Sequence, residues 1–177
     1  MIRDKLLAWG FWIVPLTFYW YTAAPGSGWI DSPMIAHNVF FAKTDYWVNY
    51  HNLFHLLGRV WLFLTPFDDV HYSLNLFCGV WAAITVHMTY RIGVILTGNQ
   101  LASIWGALAL MVSHSLWWHA TMLEVYTMNG AFIGLIVYNV LKFTRTHSLV
   151  DYFLAVFLFG LSISNHVLMG LFAFGFY

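Results

Sequence analysis

Long apolar runs separated by short polar breaks dominate the chain. A helix needs roughly 20 apolar residues to cross a bilayer core. Five segments approach that length, at residues 6–24, 70–90, 101–119, 123–143 and 150–163. A sixth begins at Val167 and stops at Tyr177. Residues 53–64 are apolar too, but the run is short and holds Arg59, which suits an interfacial helix better than a crossing. The pattern predicts an all-α, polytopic transmembrane helical bundle. It would have about five complete spans plus the start of a sixth, and form a single transmembrane domain over residues 1–177. The first outer loop, residues 25–71, is the longest connection and would contain the short interfacial helix. Loops of that length are uncommon unless functional or disordered. Its Trp, Phe, Tyr and His content argues against disorder.

Composition strengthens the membrane reading. Only 8% of residues are charged while 61% are hydrophobic, against about 25% charged in a soluble domain. Such a chain cannot cover a water-facing surface, so its main solvent is lipid. Zero net charge gives no sign of a nucleic-acid partner. The lone Cys78 can form no internal disulfide. The first apolar run is long for a signal peptide and rich in Trp and Tyr, so it reads as an uncleaved span. Arg3 and Lys5 precede span one, Arg91 follows span two, and Lys142 and Arg145 follow span four. Placing all five on the cytoplasmic side satisfies the positive-inside rule with one topology. The N-terminus is then cytoplasmic, in a bacterial inner membrane or the endoplasmic reticulum. Asp31, Asp45, Asp68, Asp69 and Glu124 fall on the periplasmic or lumenal side.

That side also collects the candidate chemistry. In "GSGWIDSPMIAHN", Asp31 follows the first span, and on position alone a solvated loop acid fits as well as a functional one. Gly26, Gly28 and Pro33 shape a tight path, and Trp29 and Ile30 can hold the acid at the interface. Partial desolvation there would raise its pKa toward the range of a general base. Glu124, in "SLWWHATMLEVYTMNG", reads either as a snorkelling acid in an aromatic belt or as a group lining a cavity, with His119 nearby. His51, His55 and Arg59 recur every four residues and share one face of a helix. That stripe suits an anionic headgroup or phosphate better than a metal ion. Asn165 and His166 lie at the outer end of span five, where interhelical hydrogen bonds would satisfy them. A diiron membrane oxidase would need several His clusters on the cytoplasmic face, and the sequence offers a single HxxxH on the other.

The order of these pieces resembles a known family. An Asp in the first outer loop is followed by "LFHLLGR", "NLFCGVWAAITVHMTYR", "SLWWHATMLEVYTMN" and "GLSISNH". This is similar to the membrane domain of the GT-C glycosyltransferase superfamily. Its nearest branch is the family once described as a domain of unknown function and related to an animal protein O-mannosyltransferase. The resemblance covers roughly residues 6–170. The first loop departs from it, with Asp31-Ser32-Pro33-Met34 where the family shows a second acid. Residues 47–53, "WVNYHNL", replace its Pro- and Gly-rich turn.

The resemblance implies the N-terminal part of a longer enzyme that moves a sugar from a polyprenyl- or dolichyl-phosphate donor to an acceptor hydroxyl on the periplasmic or lumenal face. The acceptor would be a protein, lipid or glycan. Asp31 would be the general base. His51, His55, Arg59, His119, Glu124 and His166 would bind substrate. No resident metal or other cofactor is implied, although a divalent cation is compatible with the family. The alternative is a non-catalytic membrane scaffold or lipid-binding subunit.

Overall fold

The computed structural model describes residues 2–29, 31–42, 51–65 and 67–176, with side chains from residue 10 to residue 171. Ile30, Asp45 and Trp47 lie outside the described residues. Among those described the chain is all α. It comprises α1 (Ile2–Tyr21), α2 (Asp31–Phe40), α3 (Asn52–Leu64), α4 (Val70–Thr97), α5 (Gln100–Met111), α6 (His114–Thr121), α7 (Tyr126–Thr146) and α8 (Leu149–Asn165), closed by a 3-10 helix, Val167–Phe176. Helices therefore occupy every predicted apolar segment. By length and composition α4 qualifies alone as a membrane crossing, and α5 with α6 qualifies as a pair bent by 57°. α3 and α8 are shorter apolar helices.

The structure differs from the sequence reading at three places. The long first connection carries two helices, α2 and α3. Only the second has the apolar run that made it visible, because α2 mixes Asp, Ser, His and Asn into its ten residues and buries two of them, Ser32 and Asn38. The third predicted span breaks at Val112 and Ser113, where the freed carbonyl of Met111 accepts a hydrogen bond from the buried Tyr19 hydroxyl at 3.0 Å. A helix can be interrupted at low cost where another element satisfies the orphaned backbone group. The final apolar segment is 3-10 rather than α-helical.

α4 is the central element and packs on α1, α2, α3, α5, α6 and α7. Its ends are well specified. The Asp69 side chain accepts from the Tyr72 N–H at the start, and Gly98 stops the helix at φ 64°. One core gathers Phe54, Leu74, Phe77, Leu123 and Met128 between α3, α4 and α7. A second gathers Phe11, Tyr19, Val86, Tyr90 and Ala107 between α1, α4 and α5. α4 and α7 approach closely because α7 presents Gly130 and Gly134 to Thr85 and Met88.

The two ends of this assembly have different chemistry. At one end Arg91 bonds the Tyr138 hydroxyl, Lys142 pairs with the buried Asp151 at 2.6 Å, and Arg145 reaches the Ile95 carbonyl. At the other end lie the starts of α4 and α7, the end of α8, and all of α2. Along α7, Tyr126 and Lys142 are about 24 Å apart at the usual helical rise.

Candidate functional site

Asp31, expected in a loop, is the first residue of α2. The unpaired N–H groups of a first helical turn favour a carboxylate there. Pro33 is tolerated for the same reason, since its missing N–H would be unpaired anyway. The preceding turn is tight: a Cβ on Gly28 would stand 2.5 Å from Ser32 Oγ. Ser32 is buried and donates to the Leu123 carbonyl at 2.8 Å. That bond ties the first turn of α2 to the short link between α6 and α7, which carries Glu124. Asp31 remains exposed, and Glu124 is half-buried beside it. Burial first, and the Asp31 charge second, push the Glu124 carboxyl up to about 7. Glu124 is thus not a terminal residue of a membrane helix but the centre of a turn.

The backbone of this turn is held from three sides. Ser32 of α2 meets the Leu123 carbonyl. The buried Cys78 thiol of α4 donates to the Glu124 carbonyl at 3.3 Å and accepts from the Glu124 N–H at 3.4 Å. Asn165 of α8 donates from Nδ2 to the Val125 carbonyl at 3.4 Å and to Asn129 Oδ1 at 2.6 Å.

Beyond Glu124 an arc of rings crosses the same end of the molecule. His119 lies 4.9 Å from Tyr126, Tyr126 5.9 Å from His166, His166 5.1 Å from His51, and His51 6.4 Å from His55, ring centroid to centroid. Hydrogen bonds assign two tautomers. The Asn165 carbonyl can only accept, so His51 Nδ1, 2.6 Å away, carries a proton. His166 Nδ1 accepts from the Leu168 N–H at 3.2 Å, so neutral His166 carries its proton on Nε2. His51 thus keeps Nε2 as an acceptor when neutral, while His166 keeps Nε2–H as a donor. Burial, then the nearby His51, lower the His166 pKa and favour its neutral form. His119 Nδ1 is buried without a hydrogen-bond partner among the described residues.

Of the seven residues singled out in the sequence, His51, His55, His119 and His166 thus share the ring arc, and Glu124 pairs with the exposed Asp31 at the same end. Arg59 departs from its expected stripe. His55 is buried and Arg59 exposed, and the guanidinium donates to the carbonyls of Val39 (3.1 Å) and Phe40. Both carbonyls lie at the C-terminus of α2, where a cation is favourable, and that of Val39 also accepts from the Ala42 N–H at 3.4 Å. Arg59→Met should therefore loosen α2 and lower stability by about 1 kcal/mol. Thermal unfolding in detergent checks this, and an unchanged midpoint would deny the clamp. Ser32, Cys78, Tyr126 and Asn129 belong to the site although their types alone did not mark them. For Cys78 the available signal was a small polar side chain inside an otherwise apolar run, where it bonds across helices. Among the described residues no three His, Cys, Asp or Glu side chains converge as a metal ion would require.

Comparison with known proteins bears on what this surface is for. The chain is 30% identical over 91 residues to the mouse (Mus musculus) protein O-mannosyl-transferase TMEM260, a stretch that is 51% of this chain and 13% of that protein. No solved structure matches the chain. The family model of the protein O-mannosyl-transferase TMEM260 N-terminal domain matches residues 51–177, which include α3 to α8 and all of the ring arc. The chain belongs to that family.

Proposed function

We propose that this chain supplies the reactive face of a GT-C-type glycosyltransferase, which moves a mannosyl-type sugar from a polyprenyl-phosphate donor to a protein hydroxyl. The observation that carries the reading is the Asp31–Glu124 pair beside the arc of imidazoles, at the end of the bundle opposite Arg91, Lys142 and Arg145. The basic end faces the cytoplasm under the positive-inside rule, and the acidic end faces the periplasm or lumen. Exposed Val150, Phe153 and Phe157 along α8 support a lipid-facing surface.

In the reaction the acceptor oxygen attacks the anomeric carbon of the sugar. Asp31, at the open edge, takes the acceptor proton. The bond from the anomeric carbon to the phosphate oxygen breaks, and the lipid phosphate leaves with the electron pair. Glu124 lies further in. Protonated, it donates a hydrogen bond to an anionic phosphate; ionised, it would repel one. His166 Nε2–H supplies a further donor to that leaving group, and His51, with its ring 5.1 Å from that of His166, lines the same site. Arg59, held at α2, supports the geometry from behind.

Asp31→Asn in the full-length protein, assayed with polyprenyl-phosphate sugars, should lower transfer by about 100- to 10,000-fold, the usual contribution of a general base. Undiminished transfer would reject Asp31 as the base. Tight binding of the lipid-linked sugar without turnover by the unaltered protein would favour a lipid-binding subunit instead.

A further inference from the structure

The turn that carries Glu124 is short, and a turn of this kind ordinarily satisfies its backbone through its own hydrogen bonds or water. Here successive residues are gripped by side chains from three separate helices. Ser32 of α2, Cys78 of α4 and Asn165 of α8 are 1%, 0% and 0% exposed, and they bond Leu123, Glu124 and Val125 in that order. We propose that Ser32, Cys78 and Asn165 are positioning residues, which lock the backbone of residues 123–125 so that the Glu124 carboxyl is kept against Asp31.

The thiol is the most informative of the three. A side chain needed only for volume at position 78 could be Ala or Val. Cys78 instead meets both backbone groups of one residue, the N–H and the C=O of Glu124. With both groups held, the peptide planes on either side of Glu124 cannot rotate, and its side chain leaves the turn in one direction. Ser32 has two roles. It grips the turn while sitting next to Asp31 in the chain, so a single bond fixes the spacing of the two acids. Asn165 grips the far side, and its own carbonyl receives the His51 Nδ1–H. The clamp therefore also couples the turn to the ring arc. Of the ionisable groups, Asp31 from α2 acts on Glu124 by its charge and Cys78 from α4 by hydrogen bonds, while His119 of α6 and Tyr126 of α7 flank it in the chain.

This inference rests on Glu124 belonging to the proposed transferase site, and its test separates the two. The full-length protein is treated with dicyclohexylcarbodiimide, which modifies protonated carboxyls in apolar surroundings, across a pH series. Modification of Glu124 is read by peptide mass spectrometry, with transfer kinetics in parallel. In the unaltered protein the midpoint of modification should lie near pH 7, the value to which burial and Asp31 raise this carboxyl. Cys78→Ala should let the carboxyl move toward water. Its midpoint then falls by a unit or more and kcat drops tenfold or more while KM changes little. Cys78→Ser, which keeps a donor and an acceptor, should restore both. Ser32→Ala should shift the midpoint in the same direction and decides the matter if Cys78→Ala elutes as an aggregate. An unshifted midpoint in a folded Cys78→Ala or Ser32→Ala protein, or equal shifts in the Ala and Ser variants at position 78, overturns the positioning role. A shifted midpoint in a protein without any transfer activity upholds the clamp and removes the transferase reading instead.

Discussion

Transfer activity should fall as the pH rises through about 7, and Glu124→Gln should abolish that fall while leaving the rate at pH 6 nearly intact. The reason is the state of one carboxyl. Glu124 is raised from its ordinary value by desolvation and by Asp31, so it is largely protonated on the acid side of neutrality and can donate to an incoming phosphate. Above neutrality it ionises and repels that group. Gln keeps a donor of similar shape and cannot ionise. Glu124→Ala removes the donor altogether and should cost about 100-fold or more at every pH, as loss of a preorganised donor to a developing anion does elsewhere.

Stability gives a second readout of the same group. A carboxyl whose folded pKa lies above its unfolded value binds more protons in the folded state between the two. Its stabilising contribution is complete below the unfolded value and is lost as the pH rises through about 7. The whole shift would correspond to about 3 kcal/mol. Solvent screening of a half-exposed group reduces this to about 1 kcal/mol. Glu124→Gln should therefore unfold later than the parent at pH 8 and together with it at pH 4. A pH–rate profile without an alkaline limb in the parent, or an alkaline limb that survives in Glu124→Gln, would assign Glu124 a different role.

Gly134→Leu should be the most damaging single change away from the site. A Cβ at this position of α7 would come 2.7 Å from Met88 Cβ on α4. The obstructing atom is the root of a side chain, so it cannot swing away and the helices must separate. Gly130, one turn earlier, is nearly as crowded: a Cβ added there would stand 3.0 Å from Thr85 Oγ1. Small residues four apart let two helices approach until their backbones nearly touch, and van der Waals packing is then lost along the whole seam if they are forced apart. Overpacking typically costs about 1–3 kcal/mol, and Leu at this seam belongs at the upper end. Gly160 on α8 is the control. A Cβ there meets nothing within 4 Å, so Gly160→Ala should stabilise by up to about 1 kcal/mol through helix propensity. Unfolding midpoints in one detergent compare the two directly. A Gly134→Leu protein as stable as the parent would show that α7 does not rely on this contact.

Where an element's burial shows as a continuous apolar run, hydropathy located it. α1, α7 and α8 fall within a few residues of the predicted segments, because lipid and protein interiors both select the same side chains; α4 starts where predicted but continues to Thr97, so Arg91, expected after the second segment, lies within the helix. α3 was found as a short apolar helix on the same basis. α2 was not, because Ser32 and Asn38 are buried in it as polar groups, and a buried polar residue looks like a loop residue until its partner is known. The break between α5 and α6 was hidden for a related reason. Both halves are apolar, and the group that makes the break tolerable, the Tyr19 hydroxyl, comes from α1.

By itself the sequence determined the helical class, the scarcity of charge and the resemblance to a glycosyltransferase family. These are properties of composition and local order, which require no knowledge of what folds against what. Only the tertiary structure decided that Asp31 begins a helix and stands beside Glu124, that Arg59 serves the C-terminus of α2, and that His51 and His166 hold opposite tautomers. Each of those depends on a hydrogen bond or a charge that only the folded backbone supplies, from a distant segment for Asp31, Arg59 and His51 and from the turn after α8 for His166, so side-chain type and spacing alone do not specify it.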